Sequence, residues 1–543
     1  MLRIWRMVAA AALVAALQTD GHSQNAQTPL GAATLNDTKS NNPFTAELGV
    51  FIETVLRSWK VPGLSIAVID GDDVFTEGFG FASFPDTAAT PETLYYVGSN
   101  SKAHTAAALA QLIDSRAAPE LLRGWNTPIS SIIRDDFILQ DEWATAHVTL
   151  DDAVSHRTGL PGHDVSWHRE INGTATTLRD VVRNLRNLPM NLEPRVEWHY
   201  CNLMYVSLSH VIETVTGKWL GDVLRELIWD PLGMKTTYMD LQDAKKAPVD
   251  LAKSYLWVEE DQKYKEMPFF DAVTASGAGG IISTVVDFAK WVQCLVHETA
   301  PFSKAAHRDI RTPRFNVQPG PDDIALYGLG WMRTTFHGAV AYWHDGSTRT
   351  YGSLVYWFPD LKYGVVVFAN GARTSNYAEE IIVQKIMADK LEVPDSDRED
   401  VDKKYRQVEE KMERDLKNAT EILFPNRARN PQPPTVSVGA LEGVYRSQGH
   451  GTFRLFEERH PHHANKTALV ANRPELLFDH QLRLEHASGD YWTIYAEQAD
   501  GADNVYFFAG QFEIGVDGKV AGLKIDFHSR GMHEGTVLFS KIE

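Results

Sequence analysis

Ser99-Asn100-Ser101-Lys102 carries the plainest chemical signal in the sequence. It follows Tyr95-Tyr96-Val97-Gly98 and leads into an alanine-rich run, Ala103–Ile113, that predicts a helix. A separation of three residues puts the Ser99 hydroxyl and the Lys102 amine on one helical face. A serine hydroxyl is a poor nucleophile until a base removes its proton. A lysine one turn away, its pKa lowered by burial and neighbouring charge, can be that base. The Ser99 amide also sits at the positive end of the helix, where an oxyanion is stabilised. The tetrapeptide therefore reads as an acyl-transfer nucleophile with its base. The same spacing also suits an N-capping serine and a solvated lysine, so the decision rests on the rest of the chain.

Three further segments supply it. Tyr200-Cys201-Asn202 opens a helical pattern, Leu203–Thr216, that ends at Gly217. His344-Asp345-Gly346-Ser347 follows a strand-like run, and Ser155–Gly162 reads Ser-His-Arg-Thr-Gly-Leu-Pro-Gly. As an ordered set these closely resemble the serine β-lactamase/penicillin-binding-protein superfamily, and within it the class C β-lactamase, esterase and D-aminopeptidase branch. Relatives there carry Ser-x-x-Lys, Ser-Asp-Asn and Lys-Thr-Gly sets. Here Tyr200-Cys201-Asn202 takes the second place and His344-Asp345-Gly346 the third. Val61–Ser65, Gly277–Thr284 and Tyr327–Trp331 extend the resemblance over roughly residues 45–390.

The resemblance implies that Ser99 attacks a carbonyl and becomes acylated, and that Lys102 accepts its proton or tunes its partner. It implies that Tyr200 is the shared base and acid, its phenol pKa lowered by Lys102. Asn202 would hold the substrate amide and Lys102 by hydrogen bonds, and the amides of Ser99 and Ser347 would form the oxyanion hole. His344, Gly346 and Ser347 fall on the substrate-binding side. His344 replaces the usual lysine, so the charge there depends on pH. Ser155-His156 lacks the Gly-x-Ser-x-Gly elbow of a Ser-His-Asp hydrolase and is not read as a triad.

These residues need a scaffold. A helical pattern over Phe51–Leu56 precedes a strand and turn, Val61–Asp72, and a returning strand, Val74–Phe81. The segment from Leu150 to about Tyr238 reads as mainly helical, including Thr177–Leu188. Gly277–Thr284 is a glycine-rich turn before a helix, Val285–Val296, and lacks the lysine of a phosphate loop. Strand-like runs follow at Gly328–Trp331, Ala339–His344, Gly352–Trp357 and Tyr363–Asn370, with turns at Pro359-Asp360 and Asn370-Gly371. One antiparallel sheet drawn from both chain ends, with helices between, is an α+β architecture. The resemblance makes residues 45–390 a β-lactamase/transpeptidase-like domain with Ser99 in the cleft between sheet and helical region. Residues 395–434 read as a charged, solvated linker helix ending in a Pro/Asn/Arg-rich boundary, with Glu410 and Arg414 paired at helical spacing. Residues 435–543 alternate strands and turns, as in Thr452–Leu455 and Asn504–Phe508, and predict a small all-β barrel or sandwich.

The bulk properties fit this organisation. Of 543 residues, 43% are hydrophobic and 23% charged, and the net charge of -18 repels nucleic acid and anionic membranes. Arg3 and Arg6 precede a short apolar core, Met7–Leu17, and together these read as a signal peptide over residues 1–23. The chain is therefore expected to be secreted, with no membrane partner after cleavage. Four sequons, at Asn36, Asn172, Asn418 and Asn465, suit such a glycoprotein. The two cysteines, Cys201 and Cys294, form no disulfide framework and read as separately buried thiols, though one bridge is possible. His460-Pro461-His462-His463 lacks partners at metal-site spacing, so no metal and no cofactor are expected.

The expected function is a secreted serine hydrolase acting on a small-molecule or peptide substrate. The scissile group is an ester, lactone or amide, D-peptide-like or from a secondary metabolite. The alternatives are a true β-lactamase, an acyltransferase to an alcohol, and a non-catalytic binding protein on the same fold.

Overall fold

The computed structural model describes residues 42–269, 272–319, 324–460, 467–498, 506–529 and 532–543. The expected signal peptide, Asn36, Asn465 and the end of the histidine run, residues 461–463, lie outside them.

Helix α1 (Ala46–Trp59) starts on a Thr45 cap and leads into the hairpin β1 (Gly63–Asp70) and β2 (Asp73–Ser83). β1 is apolar because both its faces are covered: Leu64, Ile66 and Val68 point one way, Ala67 and Ile69 the other. β3 is Thr87–Ala88. The second half of the sheet comes from β4 (Phe315–Pro319), β5 (Ile324–Tyr327), β6 (Met332–Phe336), β7 (Ala339–Ser347), β8 (Gly352–Phe358) and β9 (Tyr363–Ala369). Among the described residues these nine strands form one antiparallel sheet, ordered β4-β5-β6-β7-β8-β9-β1-β2-β3. β1 pairs with β9, Leu64 opposite Ala369 and Val68 opposite Val365. Gly328–Trp331, expected as strand, instead forms the turn between β5 and β6, because Gly328 donates back to Trp331.

Two layers cover the sheet. α1 and α5 (Ser375–Lys390) bury Ile52, Leu56, Ile382 and Ile386 on one face. The helical region, including α2 (Ser101–Ser115), α3 (Asn202–Thr216) and α4 (Val285–His297), covers the other. α2 is buried on every side from Ser101 to Ala110, and its run of alanines lets neighbouring elements approach closely. The charged helix α6 (Val401–Lys417) was expected to be solvated. It is docked: Tyr405 stacks on Tyr377 at 4.5 Å, and Asp402 accepts from the Trp59 indole at 2.8 Å. Its charges lie outward while Val401 and Tyr405 form a narrow apolar stripe.

The C-terminal residues form a closed barrel rather than a sandwich. Its strands are β10 (Gly443–Ser447), β11 (Gly451–Arg459), β12 (Thr467–Arg473), β13 (His480–Ser488), β14 (Tyr491–Gln498), β15 (Tyr506–Ile514), β16 (Val520–Ser529) and β17 (Met532–Lys541). β10 closes the ring by pairing with β11 and β17. Leu469, Leu482, Ile494, Phe508 and Ile525 fill the interior.

The barrel is fastened to the helical region through the β12–β13 loop. The Leu477 amide donates to the Trp167 carbonyl at 2.7 Å, and Arg169 donates to Glu475 at 2.9 Å. Leu477 and Phe478 join the core of the N-terminal domain, while Val165 packs on the barrel core. Asp479 pairs with Arg349 at 2.5 Å.

Candidate active site

Ser99 lies in a single 3-10 turn, Gly98–Asn100, that runs into α2. Ser101 Oγ donates to the Gly98 carbonyl at 2.7 Å and accepts from the Ile281 amide at 3.0 Å. Asn100 donates to Ser353 Oγ at 2.7 Å, which donates to the Val97 carbonyl at 2.7 Å. The Ser99 turn is thus pinned to the glycine-rich segment on one side and to β8 on the other.

The end of β7 lies directly against this turn. A Cβ at Gly98, which has φ of +51°, would sit 2.7 Å from the Ser347 amide nitrogen. A Cβ at Gly346 would sit 2.0 Å from the Val97 carbonyl oxygen. Both positions need glycine because two backbones meet there. Thr348 donates to the Tyr351 carbonyl, and Ser347 stands opposite Gly352. By the alternation of an antiparallel pair, the Ser347 amide turns away from β8, to the side where Gly98 lies.

Lys102 Nζ is 2.9 Å from Ser99 Oγ and 2.6 Å from the Ala278 carbonyl oxygen. The side chain is fully buried. Burial pulls the amine down to about 7, against the opposing pull of the Asp164 and Asp345 carboxylates. Asp345 is itself pushed up to about 6, chiefly by burial.

Tyr200 lies beside this amine, its ring centroid 4.9 Å from Lys102 Nζ. Burial pushes the phenol well above its ordinary value, further than Ser99 pulls it down. The expectation of a depressed Tyr200 pKa is therefore corrected. Desolvation penalises the charged form of each group, so it lowers an amine and raises a phenol. A lysine that sheds its proton near neutrality offers little positive field to hold a phenolate. Burial thus favours the neutral amine at Lys102 and the protonated phenol at Tyr200.

Asn202 opens α3, and its amide donates to both oxygens of Asp164 at 3.1 Å. The expected hydrogen bond to Lys102 is replaced, since Lys102 reaches Ser99 and Ala278 instead. Asn202 Oδ1 is buried and has no partner among the described residues.

His344 is buried on β7. Its Nδ1 is 2.5 Å from the Asp345 carbonyl oxygen and its Nε2 is 3.0 Å from the Tyr327 hydroxyl. A carbonyl only accepts, so Nδ1 carries the proton and Nε2 accepts from Tyr327. Burial, with Lys102 second, pulls the imidazole down to about 3. The expected pH-dependent charge is corrected to a neutral ring across the physiological range.

Ser155 donates to the Asp151 carbonyl and His156 accepts from the Cys201 amide, so the two form no nucleophile–base pair. Asp164, Tyr327 and the Ala278 carbonyl are site groups that the sequence reading did not single out. Asp164 stands just beyond the Ser155–Gly162 segment, and only the fold brings its carboxylate to Asn202.

A cleft of about 1050 Å³ opens between the helical region and the barrel. Ser166, Trp167, Leu203, Arg446 and Glu475 line part of it. It does not include Ser99, but Ser166 and Leu203 are chain neighbours of Asp164 and Asn202. Of the sequons, Asn172 is exposed at a hairpin tip, and Asn418 is exposed at the end of α6. His460 bonds Glu485 at 2.9 Å, and no cluster of metal-ligating side chains occurs among the described residues. Cys201 and Cys294 are separate, buried thiols. No described helix is long and apolar enough to cross a membrane.

A family model described as Beta-lactamase matches residues 51–385. The chain belongs to the β-lactamase family. Two relatives of this β-lactamase-family chain are unguisins hydrolases. The one from Aspergillus campestris is 35% identical over 489 residues, covering 88% of this chain and 89% of the relative. The one from Aspergillus violaceofuscus is 37% identical over 489 residues, covering 86% and 84%. A D-aminopeptidase from Brucella ovis is 25% identical over 331 residues, covering 60% and 59%. Among solved structures, the octameric penicillin-binding protein homologue from Pyrococcus abyssi superposes with a TM-score of 0.57 at 22% identity. It covers 91% of this chain and 99% of the other. The β-lactamase-family fold thus extends to a structure matched along nearly its whole length.

Proposed function

We propose that this β-lactamase-family hydrolase cleaves an amide or ester through an acyl intermediate on Ser99. The observation that carries the reading is the 2.9 Å contact between Ser99 Oγ and an amine whose pKa lies at about 7. A neutral Lys102 directs its lone pair at the hydroxyl while an N–H remains on the Ala278 carbonyl. Ser99 Oγ bonds to the substrate carbonyl carbon as its proton passes to Lys102. The amides of Ser99 and Ser347 receive the oxyanion. The bond to the leaving nitrogen or oxygen breaks as Tyr200 supplies that atom with a proton, and the proton on Lys102 restores Tyr200. Water then attacks the acyl carbon and gives its proton to Lys102. The ester bond breaks, Ser99 Oγ takes a proton from Tyr200, and Lys102 restores Tyr200 again.

The names of the relatives favour an amide-type substrate. The unpartnered Asn202 Oδ1 suits a substrate N–H. The leader and sequons support an exported glycoprotein as its setting.

Intact mass after a fluorophosphonate probe tests the reading. One adduct on the wild type and none on Ser99→Ala is the expected result. No adduct, together with no turnover of esters, D-aminoacyl amides or β-lactams, overturns it.

A further inference from the structure

His156 is a buried histidine to which the reaction scheme gives no role, and it contacts Tyr200 and both of its chain neighbours. Its ring lies 4.2 Å, centroid to centroid, from the Tyr200 ring at an interplanar angle of 34°. Its carbonyl oxygen accepts the His199 amide at 2.8 Å. Its Nδ1 accepts the Cys201 amide at 3.0 Å. One residue therefore holds the amides on both sides of Tyr200 and packs against the ring between them.

The contact fixes the protonation of the imidazole. A backbone N–H can only donate, so Nδ1 must be the unprotonated nitrogen and Nε2 carries the hydrogen. Protonating Nδ1 would set two donors against each other and break the tether at Cys201. The groups around the ring keep it neutral. Burial lowers its affinity for a proton, and a positive charge on Lys102 lowers it further. Tyr200, Tyr205, Tyr327 and Trp198 supply the remaining walls and no anion.

The backbone is shaped to make this possible. His156 has φ of +59°, a left-handed conformation that a bulky residue rarely adopts. Its neighbour Arg157 is ion-paired to the fully buried Asp152 at 2.7 Å and to Asp151 at 2.8 Å, which holds the loop in place. Strain retained under such anchoring marks a constrained functional position.

We propose that His156 is a positioning residue that, as the neutral Nε2–H tautomer, aims the Tyr200 phenol at the reacting atoms. The proposal rests on the reading of Tyr200 as proton donor. It predicts an asymmetry between amide replacements: the Oδ1 of asparagine falls near the place of Nδ1, whereas the longer glutamine side chain mimics Nε2.

The test measures kcat and KM on a neutral ester for His156→Asn and His156→Gln, each in wild-type and Tyr200→Phe backgrounds. His156→Asn is expected to stay within about threefold of wild type. His156→Gln is expected to lose at least about tenfold in kcat with KM little changed, and less than about twofold more once Tyr200 is phenylalanine. Equal losses in both backgrounds, or equal behaviour of Asn and Gln, overturn the tether. If His156→Gln does not fold, His156→Ala takes its place. Hydrogen exchange at the Cys201 amide of the wild type adds an arm that needs no variant. Protection from pH 6 to 9 supports the tether, and exchange at the rate of an open loop overturns it. Ser99→Ala and Tyr200→Phe run alongside. If these two keep full turnover, the acyl-serine reading fails. If they lose turnover and His156 shows no selective effect, only the tether fails.

Discussion

Lys102 Nζ meets Ser99 Oγ at 2.9 Å from a side chain with no solvent contact. Burial brings that amine to about 7, so its base form appears as pH rises through neutrality. kcat/KM on a neutral ester should climb about tenfold per pH unit below 7 and level off above it. No descending limb is expected up to pH 9, because Tyr200 holds its proton well beyond the ordinary phenol range. Asp345 helps to hold the proton on Lys102. Asp345→Asn should therefore move the ascending limb to lower pH, and a limb that stays put would show that another base is at work.

The same amine makes stability depend on pH. Its folded pKa lies below its ordinary value of 10.5, so the unfolded chain binds more protons between about 7 and 10.5. The destabilisation is fully present below pH 7 and fades as pH rises toward 10.5. In chemical denaturation, Lys102→Met should lose stability relative to the wild type by up to about 5 kcal/mol across that window. A gap independent of pH would mean that the folded lysine is charged at neutrality.

Tyr200→Phe removes the proton donor while leaving the ring between Lys102 and His156. A loss of about a hundredfold in turnover is expected, the usual scale for a general acid or base. Stopped-flow kinetics should show the loss on esters with poor leaving groups more than on activated ones. Equal loss on both would place the proton transfer elsewhere.

His344 has both ring nitrogens engaged and no charge in the neutral range. Substrates differing only in a free or an amidated carboxyl should have KM values within about threefold of each other from pH 5 to 8. A strong preference for the free carboxylate that fades with rising pH would restore a cationic His344.

Phe478 belongs to the barrel but packs 6.2 Å from Trp167, inside the core of the other domain. Phe478→Ala should destabilise the N-terminal domain by roughly 3 kcal/mol, the scale for truncating a buried aromatic ring. Calorimetry should show its transition moving with that of the barrel. Independent transitions would show that the contact carries little energy.

Much of this arrangement was legible in the sequence because local pattern governs it. The short apolar run in Gly63–Asp70 marks a buried strand, and the alanines after Lys102 mark a buried helix. The ordered motifs carry the site residues themselves. What was not legible depends on burial and on contacts between distant segments. The direction of the Tyr200 shift follows from complete enclosure, which residue types do not disclose. The Asp164–Asn202 bond and the neutral state of His344 depend on neighbours brought in by tertiary structure. α6 looked solvated because its charges outnumber the two residues, Val401 and Tyr405, that dock it.

The pairing of β1 with β9 sets a timetable for making the protein. Leu64 and Ala369 are partners across roughly 300 residues of chain. At ordinary synthesis rates β1 waits on the order of 15–60 s before its neighbour exists. During that time an apolar strand, destined to be covered on both faces, has one edge open to other chains. The nucleophile helix is made early in this interval and cannot be enclosed until β7, β8 and β9 arrive. Enclosure of the active site therefore cannot begin until β9 has been made, and yield in a heterologous host should depend on chaperones that shield the N-terminal hairpin.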